Sequence, residues 1–253
     1  MIARRNPFFA VLAVVGISCL AVPAPAQQTT GTTPDQDYKK QIKADDKAND
    51  ESKGDLYTLA TCPISGKSLG SMGDAIVKEY DGREVRFCCG GCVGRFEADK
   101  KAGFKKIDEQ LVKAQVHYYP LDTCIISGNP LVEDGEDISV NYVYKNRLVR
   151  LCCTGCIKMF NKNAAANLKK IDAAIVMKQR EHYPLETCVV AKGPLGSMGE
   201  PVEIIAGNRL VRFCCAGCKP EFEKNPAQYL AVIDAAWKAK HAEAARDTQD
   251  TKR

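Results

Sequence analysis

The chain has 253 residues and a formal net charge of +5, with 36 basic and 31 acidic side chains interspersed along it. There is no basic stripe with interleaved aromatics, which argues against a nucleic-acid binder. Of the thirteen cysteines, Cys19 lies near the N-terminus and twelve fall into three groups of four, headed by Cys62, Cys124 and Cys188 at separations of 62 and 64 residues. A unit that short is near the lower limit for a self-sufficient apolar core and calls for a metal or disulfide staple.

The N-terminus pairs Arg4 and Arg5 with an apolar run from Phe8 to Val22 and an Ala24-Pro25-Ala26 site. This is the pattern of a secretory signal peptide, residues 1–26, cleaved after Ala26. The run is too short to span a bilayer. The mature chain is therefore expected in the periplasm or outside the cell, with no membrane span after cleavage. Gly16 stands where lipid attachment to Cys19 would want a large aliphatic residue. Residues 27–54 are polar and charged, too poor in apolar surface to offset the entropy of ordering, and read as a disordered linker.

Three repeats follow, at 55–117, 118–181 and 182–240, and then a tail at 241–253 that reads as a frayed helix end passing into disorder. Each repeat opens on a tyrosine and a short extended lead: Tyr57 to Cys62, Tyr119 to Cys124, Tyr183 to Cys188. A Gly-rich loop comes next in the first and third (66–73 and 193–199), and an acidic one (133–137) in the second. Asp81-Gly82 between two alternating runs predicts a β-hairpin. Gly207-Asn208 and, less ideally, Lys145-Asn146 mark the other two. Period two puts Val85 with Phe87, Val149 with Leu151, and Val211 with Phe213 on a core face.

The returning strand runs into Arg86-Phe87-Cys88-Cys89-Gly90-Gly91-Cys92, then Arg150-Leu151-Cys152-Cys153-Thr154-Gly155-Cys156, then Arg212-Phe213-Cys214-Cys215-Ala216-Gly217-Cys218. The glycine permits a tight turn, and the last cysteine starts a helix carrying Phe96, Phe160 or Phe222. Asn225-Pro226 predicts the start of a second helix with Tyr229, Leu230, Ile233 and Trp237 on one stripe. The fold class is α+β: three tandem modules, each a β-hairpin, a cysteine knuckle and one or two helices.

Four thiols per unit at C-x25-C-C-x2-C, with x27 in the second, suit a soft metal ion. Cys92, Cys156 and Cys218 at helix N-termini are expected to favour thiolate. Arg86, Arg150 and Arg212 share a strand face with the first cysteine of each doublet. They either offset the charge of a thiolate site or face solvent. His117, His182 and His241 do not recur in register and read as surface or packing residues. Asp108, Asp172 and Asp234 read as the exposed side of the closing helix. No nucleophile–base pattern, phosphate loop or carboxylate pair points to an enzyme.

The combination of Tyr-Pro-Leu-x-Thr-Cys (Tyr119 to Cys124, Tyr183 to Cys188), a hairpin, and Arg-Phe-Cys-Cys-x-Gly-Cys with a phenylalanine four residues on resembles the TRASH and YHS-type heavy-metal-binding domains. The resemblance covers Tyr57 to Trp237 three times over and implies treble-clef-like modules. It implies as ligands Cys62, Cys88 and Cys92; Cys124, Cys152 and Cys156; and Cys188, Cys214 and Cys218. Cys89, Cys153 and Cys215 are candidates for a fourth position. Many members carry a second ligand shortly after the first cysteine, whereas Cys62-Pro63-Ile64-Ser65 has none. One Zn or Cu(I) per repeat follows. The expected function is non-enzymatic metal binding for sequestration, transport or homeostasis. Two alternatives stand beside it: a structural-zinc module that docks an envelope protein, and a disulfide-stabilised or thiol-redox protein.

Overall fold

In the computed structural model, which describes residues 54–250, the order hairpin, short helix, long helix occurs three times, and the second copy adds a short ribbon before its hairpin. The first unit has β1 (Ile76–Tyr80), β2 (Arg83–Phe87), α1 (Gly90–Ala98) and α2 (Lys100–Gln115), then a 3-10 turn at Val116–Tyr118. The second has β3 (Val132–Glu133), β4 (Glu136–Asp137), β5 (Val140–Tyr144), β6 (Arg147–Leu151), α3 (Thr154–Lys162) and α4 (Ala164–Arg180). The third has β7 (Val202–Ala206), β8 (Arg209–Phe213), α5 (Cys218–Lys224) and α6 (Pro226–Asp250). The fold is α+β. The leader and nearly all of the polar linker read from the sequence lie outside the described residues.

The three main hairpins are antiparallel, with Ile76 opposite Phe87, Val140 opposite Leu151 and Val202 opposite Phe213. Their two-residue turns have both φ angles positive: 53° and 71° at Asp81-Gly82, 43° and 74° at Lys145-Asn146, 57° and 63° at Gly207-Asn208. That twist matches the strands it joins. The unfavourable lysine is tolerated because Asn146 beside it is held by the first hairpin. Its amide donates to the Glu84 carbonyl at 2.8 Å, and its Oδ1 accepts from Arg83 Nε at 2.8 Å.

Each unit has its own core. Val85, Phe87, Val149, Leu151, Val211 and Phe213 are fully buried, as the strand period predicts. Phe96, Phe160 and Phe222 on the short helices are buried against them, Phe96 5.2 Å from Phe87 and Phe222 5.5 Å from Phe213 between ring centres. The longer helices close the cores with Ile107 and Leu111, Ile171 and Ile175, and Ile233 and Trp237. Asp99, Asn163 and Asn225 break each helix pair with an extended φ near −145°. Asp99 also caps α2, its carboxylate accepting from Ala102 N at 3.0 Å, a recurrent way to satisfy an orphan N–H.

The units interlock through polar side chains. Gln115 at the end of α2 donates to the Asn146 carbonyl and accepts from Leu148 N, both at 2.8 Å. Gln179 in α4 repeats this on Asn208 O and Leu210 N, at 3.0 and 2.8 Å. Asn208 in turn donates to the Leu148 carbonyl at 3.0 Å and accepts from Arg147. The third unit touches the first: Arg209 donates to the Ala114 carbonyl at 2.9 Å and lies 4.4 Å over the Tyr118 ring.

Two expectations change. Asp108, Asp172 and Asp234 do not merely face solvent: each pairs with the first arginine of its own returning strand, Arg83, Arg147 and Arg209, in every case 25 residues back. That arginine is nearly buried, so it requires a carboxylate. At the other end, α6 runs to Asp250, past residue 241 where the sequence suggests fraying. Residues 238–246 are exposed. Strong helix formers, Ala, Lys, Glu and Arg, continue the helix there. None of the described helices is long and apolar enough to cross a membrane.

Candidate metal centre

Each upstream cysteine sits in a tight loop. Cys62 N donates to the Lys67 carbonyl at 2.8 Å, and the Cys62 carbonyl accepts from Gly66 N at 2.9 Å. The same pair of bonds encloses Cys124, using Asn129 and Gly128, and Cys188, using Gly193 and Lys192. The loop needs a left-handed residue, supplied by Gly66 (φ 72°), Gly128 (75°) and, less comfortably, Lys192 (62°). The other two sulfurs come from the knuckle. Cys88 ends the returning strand. Cys89, with an extended φ of −164°, is the N-cap of α1. Cys92 lies in the first turn, its N–H donating to the Cys89 carbonyl at 3.1 Å.

The hairpin brings the distant sulfur to this pair. In each of the sets Cys62, Cys88 and Cys92; Cys124, Cys152 and Cys156; and Cys188, Cys214 and Cys218, all three sulfurs lie within 4.8 Å of one another. Within the knuckle, Cys88 and Cys92 Sγ are 3.7 Å apart, Cys152 and Cys156 3.6 Å, and Cys214 and Cys218 3.8 Å. Four sulfurs placed tetrahedrally at about 2.3 Å around Zn²⁺ are separated by about 3.8 Å. A disulfide would hold them at about 2.05 Å. The donor set therefore fits a thiophilic ion. Cys89, Cys153 and Cys215 stand apart from these sets but lie 3.7, 3.6 and 3.9 Å from the last cysteine of their knuckle. Nine of the twelve candidate cysteines converge, and three flank them.

The arginines of the returning strands do not serve the sulfurs. Arg86 is only 6% exposed. It pairs with Glu84 at 2.7 Å and donates to the Lys224 and Glu223 carbonyls, at 2.5 and 2.7 Å, at the end of α5. Arg150 pairs with Asp137 at 2.5 Å and Arg212 with Glu203 at 3.0 Å. Carboxylates, not thiolates, balance all three. The cation beside a sulfur is Arg95, whose Nη2 donates to Cys92 Sγ at 3.5 Å. It lies three residues beyond the knuckle, one helical turn on.

Two serines were also not read from the sequence. Ser65 Oγ lies 3.2 Å from Cys88 Sγ, and Ser127 Oγ lies 3.2 Å from Cys152 Sγ. Both occupy the third position after the upstream cysteine, which is Ala191 in the third unit. Their recurrence at one offset is the signal that could have found them. Each hydroxyl also accepts a backbone N–H, from Lys67 or Asn129, at 3.3 Å.

The ionisation order reverses the expectation for helix-start thiols. Burial pushes Cys62 up, but hydrogen bonds from Cys88 N, the Ser65 hydroxyl and the loop N–H groups outweigh it and bring the thiol down to about 6. Cys124 comes to about 6 against the same burial, and Cys188 also falls. Burial pushes Cys92 up to about 11 and Cys156 and Cys218 up to about 12, and their protons are held by neighbouring sulfurs. The upstream sulfur, ionising first, takes the role that the helix dipole suggests for its partner.

The groups of converging ligand atoms contain cysteine alone among the described residues. His241 lies against Trp237, 5.5 Å between ring centres. Comparison with protein-family models, with curated proteins and with solved structures gives no match.

Proposed function

We propose that this chain is an exported, non-enzymatic metal-binding protein that holds one Zn²⁺ or Cu(I) in each of three treble-clef-like units of the TRASH and YHS type. It would sequester or carry the ion in the periplasm or outside the cell. The observation that carries this reading is the convergence of three sulfurs, drawn from two places far apart in sequence, in each of three units. The separations of 3.6–3.8 Å within the knuckles suit two thiolates sharing one soft ion. The flanking Cys89, Cys153 or Cys215, or solvent, would complete a fourth position.

Native mass spectrometry of the reduced mature chain titrated with zinc tests this. Three ions are expected, and each of Cys92→Ser, Cys156→Ser and Cys218→Ser should remove one. A chain that stays metal-free in excess zinc and in excess Cu(I) would end the reading.

A structural role for the metal draws support from the burial of the first triad, whose sulfur-bearing residues are at most 2% exposed. A chelator separates the two roles. Loss of fold with loss of metal marks a structural ion, and a folded apo chain marks a carrier.

A further inference from the structure

The three triads differ in their surroundings, and the difference is concentrated in the second. Its Cys152 is partly exposed, where Cys88 and Cys214 are buried. The flanking Cys153 is exposed, where Cys89 and Cys215 are partly covered. The loop beside it differs as well. Between the upstream cysteine and the hairpin, the first and third units carry Ser68–Asp74 and Pro194–Glu200, each with one acidic residue, whereas the second carries Glu133, Asp134, Glu136 and Asp137 on the β3–β4 ribbon.

That ribbon is tied to both segments that bring sulfur to the site. Leu131 N donates to the carbonyl of Asp122, two residues before Cys124. Asp137 pairs with Arg150, two residues before Cys152. Arg150 offsets one acid, and Glu133, Asp134 and Glu136 remain exposed. A cluster of one sign on a segment tied to a site raises the local concentration of the opposite ion and its arrival rate, by an amount that falls with ionic strength.

From the acidic ribbon, the open Cys152 and the exposed Cys153 together, we propose that the second triad is the exchange port, through which a thiophilic cation enters and leaves. The first and third triads are closed stores. Cys153, 3.6 Å from Cys156, is placed to take a share of the ion as another sulfur lets go. An incoming small thiol or chelator can approach from its side. This inference rests on the metal-binding reading above and adds an order among the sites.

Pulsed alkylation of the fully zinc-loaded, full-length chain in the presence of a chelator tests it without removing any ligand. Peptide mass spectrometry then follows the buried ligands Cys92, Cys156 and Cys218. Cys156 should lose protection first, several-fold faster than the other two, because its site is the open one. In a second arm, Glu133→Gln, Asp134→Asn and Glu136→Gln are combined, leaving the Asp137–Arg150 pair intact. Zinc uptake at the second site should slow several-fold at low salt and lose most of its ionic-strength dependence. Equal release from all three sites, or first release elsewhere, would overturn the exchange port while leaving metal binding standing. Labelling that zinc does not slow at any cysteine would overturn both.

Discussion

Single side chains set the chemistry of the sulfur sites, and the ionisation order gives a measurable result. At pH 7.5 Cys62 and Cys124, at about 6, are already thiolates, whereas Cys92 and Cys156 still hold protons. Fewer protons should therefore leave than sulfurs bind, fewer than three per zinc for a three-sulfur site, as counted by calorimetry in buffers of different ionisation enthalpy. The sign follows. The contribution of the upstream sulfur is complete above pH 6 and is lost as pH falls through it. The helix sulfur must shed a proton at any pH below its own value, so affinity keeps rising with pH up to about 11. Binding with no proton released would mean that the helix thiol is not a ligand.

Packing makes an equally local demand. A Cβ on Gly103 would lie 2.4 Å from a ring carbon of Phe96. The matching positions are filled differently: Asn167 donates to the Phe160 carbonyl at 3.2 Å, and Tyr229 stacks on Phe222 at 5.8 Å. Gly103→Ala should destabilise the chain by about 1–3 kcal/mol through overpacking, read as a lower melting temperature.

Among the elements, the hairpins were legible because two-residue turns and period-two strands carry their signal locally. Asp81-Gly82 and the buried Val85 and Phe87 needed no partner to be read. The knuckle was legible from three copies of one spacing. What escaped were side chains whose partners are backbone groups in another unit, since a carbonyl has no sequence signature. Gln115 looks like a surface residue at a helix end, yet it is fully buried and satisfies both Asn146 O and Leu148 N. Gln115→Ala would leave two strand groups unpaired and should cost about 1–3 kcal/mol for each buried group so exposed to loss, as a shift in the denaturant midpoint. The exposed end of α6 is the opposite case. Truncation after Lys240 should lower the helical circular dichroism signal and leave the melting temperature nearly unchanged, because residues 241–246 are exposed.

For the described molecule as a whole, contacts run from each unit to the other two. Arg86 shows why no single repeat could reveal this. Its partners lie 137 and 138 residues away at the end of α5, and a reading confined to one unit can assign it only to sulfur or to solvent. Arg86→Gln should therefore lower the stability of the entire array, by about 2–4 kcal/mol for lost charged hydrogen bonds, while zinc affinity changes less than twofold. A large loss of affinity with stability unchanged would return the arginine to the metal site. Three units joined on every side should also melt in one cooperative transition.

The glutamine and asparagine interlock has a polarity: a helix end grips the turn of the hairpin that follows it. In the first hairpin the matching position is Gly82, which has no side-chain amide and whose carbonyl accepts from Gly54 N at 2.8 Å instead; in the last helix the gripping position, eight residues past Ile233, is His241. The interlock therefore serves the two joints between successive units, and the junction of the third unit with the first rests on Arg86 and Arg209 instead.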